Sequence, residues 1–202
     1  MENSQPPLKG DGAYDYNIRK DFIGKGGFGN IYRATRKYDQ QVFAIKVSKE
    51  YLYHLNDNEK QDLTEEIKLM KNFSHPFIVK IIDDYIDSDE RMCIVQELYT
   101  QGDFKNFLND RKGELFNEED IIHFLSNIIM VVHHLNSRGI YHRDLKPENF
   151  LVKSDENGKI YLHLSDFGLA KNIIPDYVRL STRINQKGDP RYLPPELFLR
   201  GQ

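Results

Sequence analysis

The chain has 202 residues, of which 39% are apolar and 29% are charged, and its formal net charge is −3. This is an ordinary globular composition, and the near-neutral charge gives no indication of nucleic-acid or anionic-membrane binding. No apolar run approaches the roughly 18 residues that a membrane span requires. The single cysteine, Cys93, cannot form an internal disulfide, so we expect a cytoplasmic or nuclear protein.

The first half of the chain is dominated by predicted strands. Residues 1–15 are polar, with proline and glycine, and are predicted to form a flexible tail. Residues 16–47 contain three runs rich in Ile, Val, Tyr and Phe, separated by glycine-rich or polar turns, which predicts three antiparallel strands. Residues 58–73 carry apolar side chains at helical spacing and predict an amphipathic helix. Two more strands are predicted over residues 77–86 and 91–98.

The second half is dominated by predicted helices. Residues 103–108 are expected to form a short helix. A longer helix is predicted from an N-cap at Asn117 to Gly139, a favourable residue for ending a helix. Its apolar positions go most of the way round, so we expect it to be largely buried. Two strands, 150–153 and 159–165, follow as a hairpin.

These patterns divide the chain into two parts. Residues 16–98 form a β-rich lobe and residues 99–202 a helical lobe. Clefts between lobes are preferred ligand sites, so we expect a ligand to bind between them.

A glycine-rich segment follows the first predicted strand. Gly24, Gly26 and Gly29 fit the pattern G-x-G-x-x-G, a weak signal on its own because dinucleotide-binding folds use the same string. In those folds a helix follows the glycines, whereas here strand-like residues stand on both sides and include Ile31. A strand–loop–strand unit can cover the phosphates of a nucleotide, because backbone N–H groups approach the oxygens closely where there is no Cβ.

A lysine lies inside the third predicted strand. Lys46 follows Gly29 by 17 residues and is flanked by apolar residues. An ammonium group that points inward there needs an anionic partner. The predicted helix offers two candidates, Glu65 and Glu66.

The strongest signal is the segment His-Arg-Asp-Leu-Lys-Pro-Glu-Asn at residues 142–149. Asp144, Lys146 and Asn149 supply a proton acceptor, a cation directed at phosphate and a metal ligand within one loop. Asp166, in an Asp-Phe-Gly tripeptide after the next strand pair, adds a second oxygen ligand suited to Mg²⁺.

Taken together and in this order, the motifs resemble the signature set of the eukaryotic protein kinase family over about residues 16–202. The resemblance implies a two-lobed α+β fold and Mg²⁺-assisted transfer of the ATP γ-phosphoryl group to protein Ser or Thr hydroxyls. It implies ATP and a protein substrate as partners, neither nucleic acid nor membrane, and allows for an upstream kinase or regulatory partner. The alternative is a non-catalytic kinase-like module that binds nucleotide or protein partners.

The resemblance also implies catalytic roles. Asp144 is the catalytic base and Lys146 steadies the transferred phosphoryl group, in an arrangement that favours Ser/Thr over Tyr substrates. Asn149 and Asp166 hold Mg²⁺.

The same resemblance implies a set of nucleotide contacts. Lys46 binds the α- and β-phosphates and pairs with a helix glutamate, and the spacing from Pro76 favours Glu66 over Glu65. The glycine loop, the adenine contacts, the hinge and the ribose contact complete the set: Ile23, Gly24, Lys25, Gly26, Gly27, Phe28, Gly29, Ile31, Ala44, Gln96, Glu97, Tyr99 and Asp103.

The C-terminal region departs from the family pattern. Asp189 stands where relatives have a Thr that contacts the catalytic lysine and aspartate. We expect Asp189 to approach Lys146; the alternatives are that it turns outward to solvent or to Arg191, or that it stays in place protonated. The chain ends six residues after Glu196, whereas the family continues through several helices. We therefore expect an incomplete helical lobe, which makes the non-catalytic alternative relevant.

Overall fold

The computed structural model describes residues 10–142, 144–167, 171–172 and 190–192, apart from six side chains within those ranges. Those six side chains belong to Asp62, Glu66, Leu69, Lys171, Asn172 and Pro190.

The chain divides into two compact units that differ in secondary structure. The first unit comprises Met1–Ser74 and Val79–Tyr99, and the second comprises His75–Ile78 and Thr100–Gln202. In the described part of the chain, the first unit has six strands and one α-helix, and the second has two α-helices and four short strands. The predicted α+β architecture, with a β-rich part ahead of a helical part, is confirmed.

The first unit is an antiparallel sheet with one helix. Its elements in chain order are β1 (Tyr14–Asp15), β2 (Phe22–Lys25), β3 (Gly29–Arg36), β4 (Val42–Tyr51), α1 (Asp57–Lys71), β5 (Ile81–Ile86) and β6 (Arg91–Glu97). The strands lie in the order β1-β3-β4-β6-β5, and β2 pairs with β3 beside that path.

Alternation of side chains along β4 separates two hydrophobic clusters. Phe43, Ile45 and Val47 are buried together on one face of the sheet. On the other face, α1 packs through Ile67 against a cluster that includes Ile94 of β6. Successive side chains of a strand point to opposite faces of the sheet, and this fixes which β4 side chains point toward α1.

The prediction of a flexible tail is wrong for its last residues. Ala13 and Tyr14 are buried, and β1 pairs with the C-terminal end of β3. The aromatic ring of Tyr14 stacks on that of Tyr85 at a centroid distance of 6.0 Å. The glycines and polar residues around Tyr14 favour a flexible segment, but burial of the Tyr14 ring holds it in place on the sheet.

Two predicted strands are shorter than expected. The first begins at Phe22 rather than Tyr16, because the Asn17 side chain accepts two backbone N–H groups and closes a turn, as Asn commonly does. The strand predicted from Phe77 begins at Ile81, because Phe77 belongs to the second unit.

The second unit is built on two helices and short strand pairs. Its elements are α2 (Phe104–Asp110), α3 (Glu118–Asn136), β7 (Ile140–Tyr141), β8 (Phe150–Ser154), β9 (Ile160–Leu164) and β10 (Lys171–Asn172). Asp103 caps α2, and the predicted cap of α3 by Asn117 is confirmed. Asn127 Oδ1 of α3 accepts the Leu162 N–H of β9 at 3.1 Å, which fixes the helix against the hairpin of β8 and β9 that follows the loop at residues 142–149.

The prediction that α3 is largely buried is wrong. Val131 and Leu135 are buried, but Ile122, Leu125 and Ile129 are 56%, 52% and 63% exposed. Apolar residues all round a helix do not show which of its faces packs against another element of the protein. No helix in the described ranges is both long and apolar enough to cross a membrane.

Candidate functional site

The key side chains of the loop between β7 and β8 come together. Lys146 Nζ donates to Asp144 Oδ2 at 2.7 Å, and Asn149 Nδ2 donates to the same oxygen at 2.9 Å. Asn149 Nδ2 also donates to the Asp144 carbonyl oxygen at 2.7 Å. Because both donors converge on Oδ2, the other carboxylate oxygen, Oδ1, keeps its capacity to accept a proton or hydrogen bond among the described residues.

A buried histidine, His142, forms a hydrogen bond to the backbone of this loop. His142 Nδ1 accepts the Asp144 N–H at 3.4 Å, and its ring meets the Phe167 ring edge-on at 5.1 Å. Burial lowers the pKa of His142 to about 4, although Asp166 acts in the opposite direction. The imidazole is therefore neutral near pH 7 and can serve as an acceptor. The sequence interpretation gave His142 no role, although it belongs to the loop motif.

The two predicted metal ligands are linked through the backbone. The N–H and the hydroxyl of Ser165, the residue before Asp166, donate to the Asn149 carbonyl oxygen at 2.9 and 3.1 Å. Because Asn149 Nδ2 is directed at Asp144, its Oδ1 points in another direction. An amide oxygen and a carboxylate are hard ligands, and Mg²⁺ commonly binds one or two such groups together with phosphates. The donor set fits Mg²⁺. In the described part of the chain, no three His, Cys, Asp or Glu side chains form a metal-binding cluster.

The glycine motif spans the end of β2, the turn that follows and the first residue of β3, two antiparallel strands. The Gly26 N–H donates to the Gly29 carbonyl oxygen at 2.8 Å across this turn. A Cβ on Gly29 would collide with the backbone carbonyl of Val47 on β4, whereas a Cβ on Gly24 would make an ordinary contact with Ile31. A strand, not a helix, follows the glycines, so the arrangement is not that of a dinucleotide-binding fold.

Four predicted nucleotide contacts share one face of the sheet. Ile31 is in register with Lys46, and Lys46 with Ile94, across β3, β4 and β6. Ala44 is in register with Gln96. Residues two apart on a strand point the same way, so Ile31, Ala44, Lys46 and Gln96 lie on the face against which α1 packs.

The predicted partner of Lys46 is a glutamate on α1. The side chain of Glu66 lies outside the described residues. Glu65 is exposed, and its Oε1 accepts a hydrogen bond from Gln61 Nε2 at 3.0 Å.

The remaining predicted contacts of the first unit lie in β2, in the turn after it, and at or just after the end of β6. Ile23 and Lys25 of β2 are exposed, and Phe28 packs on the cluster beneath α1. Glu97 ends β6. Burial raises the pKa of Tyr99, and the carboxylate of Glu97 raises it further.

Asp103, the predicted ribose contact, already has a structural role in the second unit. Its Oδ1 accepts the Asn106 N–H at 2.8 Å and its Oδ2 accepts from Asn106 Nδ2 at 2.7 Å. A ribose hydroxyl would have to share these oxygens with the cap of α2.

Three contacts near these residues were missed by the sequence interpretation. Lys49 Nζ donates to the Gly27 carbonyl oxygen at 3.2 Å. Glu148 Oε1 accepts from Lys105 Nζ at 2.7 Å and lies 3.5 Å from Arg191 NH2. Each partner lies far away in sequence, so no local pattern indicates the pair.

Several positions singled out from the sequence lie wholly outside the described residues. Among them are Arg143 of the loop motif, Gly168 of the Asp-Phe-Gly tripeptide, Asp189 and Glu196.

Comparison with known proteins identifies the relatives of this arrangement. The family model described as "Protein kinase domain" matches residues 17–202. The chain is 35% identical over 184 residues to a probable myosin light chain kinase of Dictyostelium discoideum, covering 91% of this chain and 54% of that protein. It is 31% identical over 176 residues to serine/threonine-protein kinase Nek6 of Oryza sativa subsp. japonica, covering 87% and 31%.

A third relative is serine/threonine-protein kinase sgk-1 of Caenorhabditis elegans, 34% identical over 179 residues, with 88% of this chain and 36% of that protein covered. The chain thus spans about half the length, or less, of these relatives.

Proposed function

This chain belongs to the protein kinase family, and we propose that it transfers the γ-phosphoryl group of ATP to serine or threonine hydroxyls of protein substrates. The observation that carries the proposal is the convergence of Lys146 Nζ and Asn149 Nδ2 on one oxygen of Asp144. This geometry orients a carboxylate while its second oxygen stays able to accept a proton.

Asp144 is proposed as the general base. A side chain that accepts a hydroxyl proton must come within hydrogen-bond reach of it, and Oδ1 offers an acceptor on a carboxylate that is 15% exposed. Lys146 is 22% exposed, so its ammonium can contact both the base and an incoming phosphoryl group. Asn149 fixes the carboxylate from the buried side.

The first unit is proposed to bind the nucleotide. Backbone N–H groups at the turn between β2 and β3 offer donors to phosphate oxygens. Ala44 is buried beside Gln96, which suits contact with a flat apolar ring. Lys46 is proposed to bind the α- and β-phosphates.

Glu66 is proposed as the partner of Lys46. Position 66 falls three residues after Leu63 and four before Met70, at the helical spacing that aligns side chains. Leu63 and Met70 both pack on the sheet. Glu65 does not share that spacing and is exposed.

Asn149 and Asp166 are proposed to hold Mg²⁺, which when bound would neutralise phosphate charge during transfer. The proposal rests on their oxygen chemistry and on the Ser165 hydrogen bonds to Asn149. The preference for Ser and Thr rests on Lys146 and on relatives named serine/threonine-protein kinases.

The reaction can be tested by incubating the chain with γ-labelled ATP, Mg²⁺ and a generic basic protein, followed by phosphoamino-acid analysis. We expect label on serine and threonine. Label on tyrosine alone would refute the substrate class. Nucleotide binding with no transfer would support the alternative, a non-catalytic module that binds nucleotide or partners.

A further inference from the structure

Lys49 makes two hydrogen bonds to the tip of the glycine turn. Its backbone N–H donates to the Phe28 carbonyl oxygen at 3.2 Å. Its side-chain Nζ donates to the carbonyl oxygen of the preceding residue, Gly27, also at 3.2 Å. One residue of β4 therefore holds two consecutive peptide groups.

The planarity of the peptide bond turns this anchoring into a directional effect. In a trans peptide the N–H points opposite to the carbonyl of the preceding residue. With the Gly27 and Phe28 carbonyls directed at Lys49, the N–H groups of Phe28 and Gly29 are directed away from it. Successive N–H groups that point to one side form a concave site for anions.

We propose that Lys49 is a positioning residue that orients the Phe28 and Gly29 N–H groups toward the phosphates of ATP, an inference that rests on the proposed nucleotide site. Lys49 does not touch the phosphates and acts through the peptide groups it holds. The role differs from that of Lys46, which is proposed to contact the phosphates itself.

The two hydrogen bonds of Lys49 can be separated experimentally. The main-chain bond to Phe28 is available to any residue except proline, so Lys49→Met removes only the bond to Gly27 while keeping an apolar stem of similar length. Lys49→Arg restores a donor. Lys37→Met is a matched control, because Lys37 is exposed in the turn between β3 and β4.

We expect Lys49→Met to raise KM for ATP about threefold to tenfold, which corresponds to the usual net contribution of one hydrogen bond, because Lys49 is exposed to solvent. The value of kcat should stay within about twofold, because Asp144 and Lys146 are untouched. Lys49→Arg should recover most of the affinity, and Lys37→Met should match the wild type. An unchanged KM in Lys49→Met, or a loss confined to kcat, would overturn the proposal.

A second measurement stands apart from turnover. Without nucleotide, amide hydrogen exchange at Gly26, whose N–H donates to the Gly29 carbonyl across the turn, should be faster in Lys49→Met than in the wild type and in Lys37→Met. If the wild type transfers no phosphate, the proposed kinase activity fails, but loop exchange and calorimetric ATP affinity still decide the role of Lys49. Equal exchange rates in all three proteins would refute the anchoring.

Discussion

Two glycines of the same motif, Gly24 and Gly29, have different surroundings. The Cα of Gly29 approaches β4 so closely that an added Cβ would meet the Val47 carbonyl, whereas at Gly24 it would lie 3.9 Å from the Ile31 side chain. The sequence pattern treats both positions alike. The structure assigns a packing requirement to Gly29 alone.

We therefore predict that Gly29→Ala lowers the free energy of unfolding by about 1–3 kcal/mol, the usual cost of forcing atoms into a packed site. Gly24→Ala should change it by less than about 0.5 kcal/mol. Urea unfolding monitored by circular dichroism measures both variants. Equal changes for the two substitutions would contradict a packing requirement that is specific to Gly29.

At the scale of elements, residues 75–78 lie between α1 and β5 in the chain but pack within the second unit. The Phe77 carbonyl accepts the Leu164 N–H of β9 at 2.9 Å, and the Phe77 N–H donates to His75 Nδ1 at 3.2 Å. The ring of His75 lies 4.6 Å from that of His134 on α3. Arg138 NH1 lies 3.2 Å from His134 Nδ1, so both rings are arranged as neutral acceptors.

Protonation of His75 and His134 should weaken the packing of residues 75–78 within the second unit. Burial lowers the pKa of His75, with the neighbouring His134 and Arg138 adding to the effect. Burial likewise lowers the pKa of His134, with Arg138 and His133 adding to it. A histidine whose pKa is lower when folded binds more protons when unfolded. Its contribution to stability is present above the unfolded value of about 6.5 and is lost as pH falls toward the folded value.

We predict that stability falls between pH 7.5 and 5.5, and that His134→Gln reduces this dependence. His133→Gln, at an exposed neighbour on the same helix whose charge only adds to the lowered pKa of His134, should reduce it less. Burial lowers the pKa of His142 as well, which adds a slope of the same sign, so the test compares slopes between variants. Urea midpoints across this range provide the measurement. Identical slopes in the wild type and His134→Gln would contradict the prediction.

The periodicity of apolar residues predicted where the strands and helices lie better than it predicted which of their faces are buried. The strands of the sheet and the helices α1 and α3 follow from alternating and helical spacing. Strand β2 is shorter than predicted because hydrogen bonds to the Asn17 side chain close a turn before it, and the apolar pattern does not indicate those bonds. The exposed face of α3, with Ile122 and Ile129, was missed because burial depends on which other elements lie nearby.

At the scale of the whole molecule, some parts of the candidate site come from short contiguous motifs, and others depend on contacts between residues that are far apart in sequence. Asp144, Lys146 and Asn149 lie within six residues and were predictable because one loop brings them together. The Lys49–Gly27 contact joins residues 22 apart and the Lys105–Glu148 contact joins residues 43 apart. Such pairs depend on tertiary packing, which spacing alone does not encode.

The proposed phosphate contacts and the proposed catalytic loop belong to different units. The glycine turn and Lys46 are in the first unit, and Asp144, Asn149 and Asp166 are in the second. The proposal therefore makes phosphoryl transfer depend on both units, while each local arrangement can be tested separately.

The most direct test of the account is the effect of Asp144→Asn on phosphoryl transfer, with ATP affinity measured on the same protein. An amide keeps the shape of the side chain and cannot accept the hydroxyl proton as a base. We predict that turnover falls by about 10²–10⁴-fold, the usual contribution of a general base, while ATP affinity stays within about twofold. Turnover close to that of the wild type, or a parallel loss of turnover and ATP affinity, would contradict the role of Asp144 as the catalytic base.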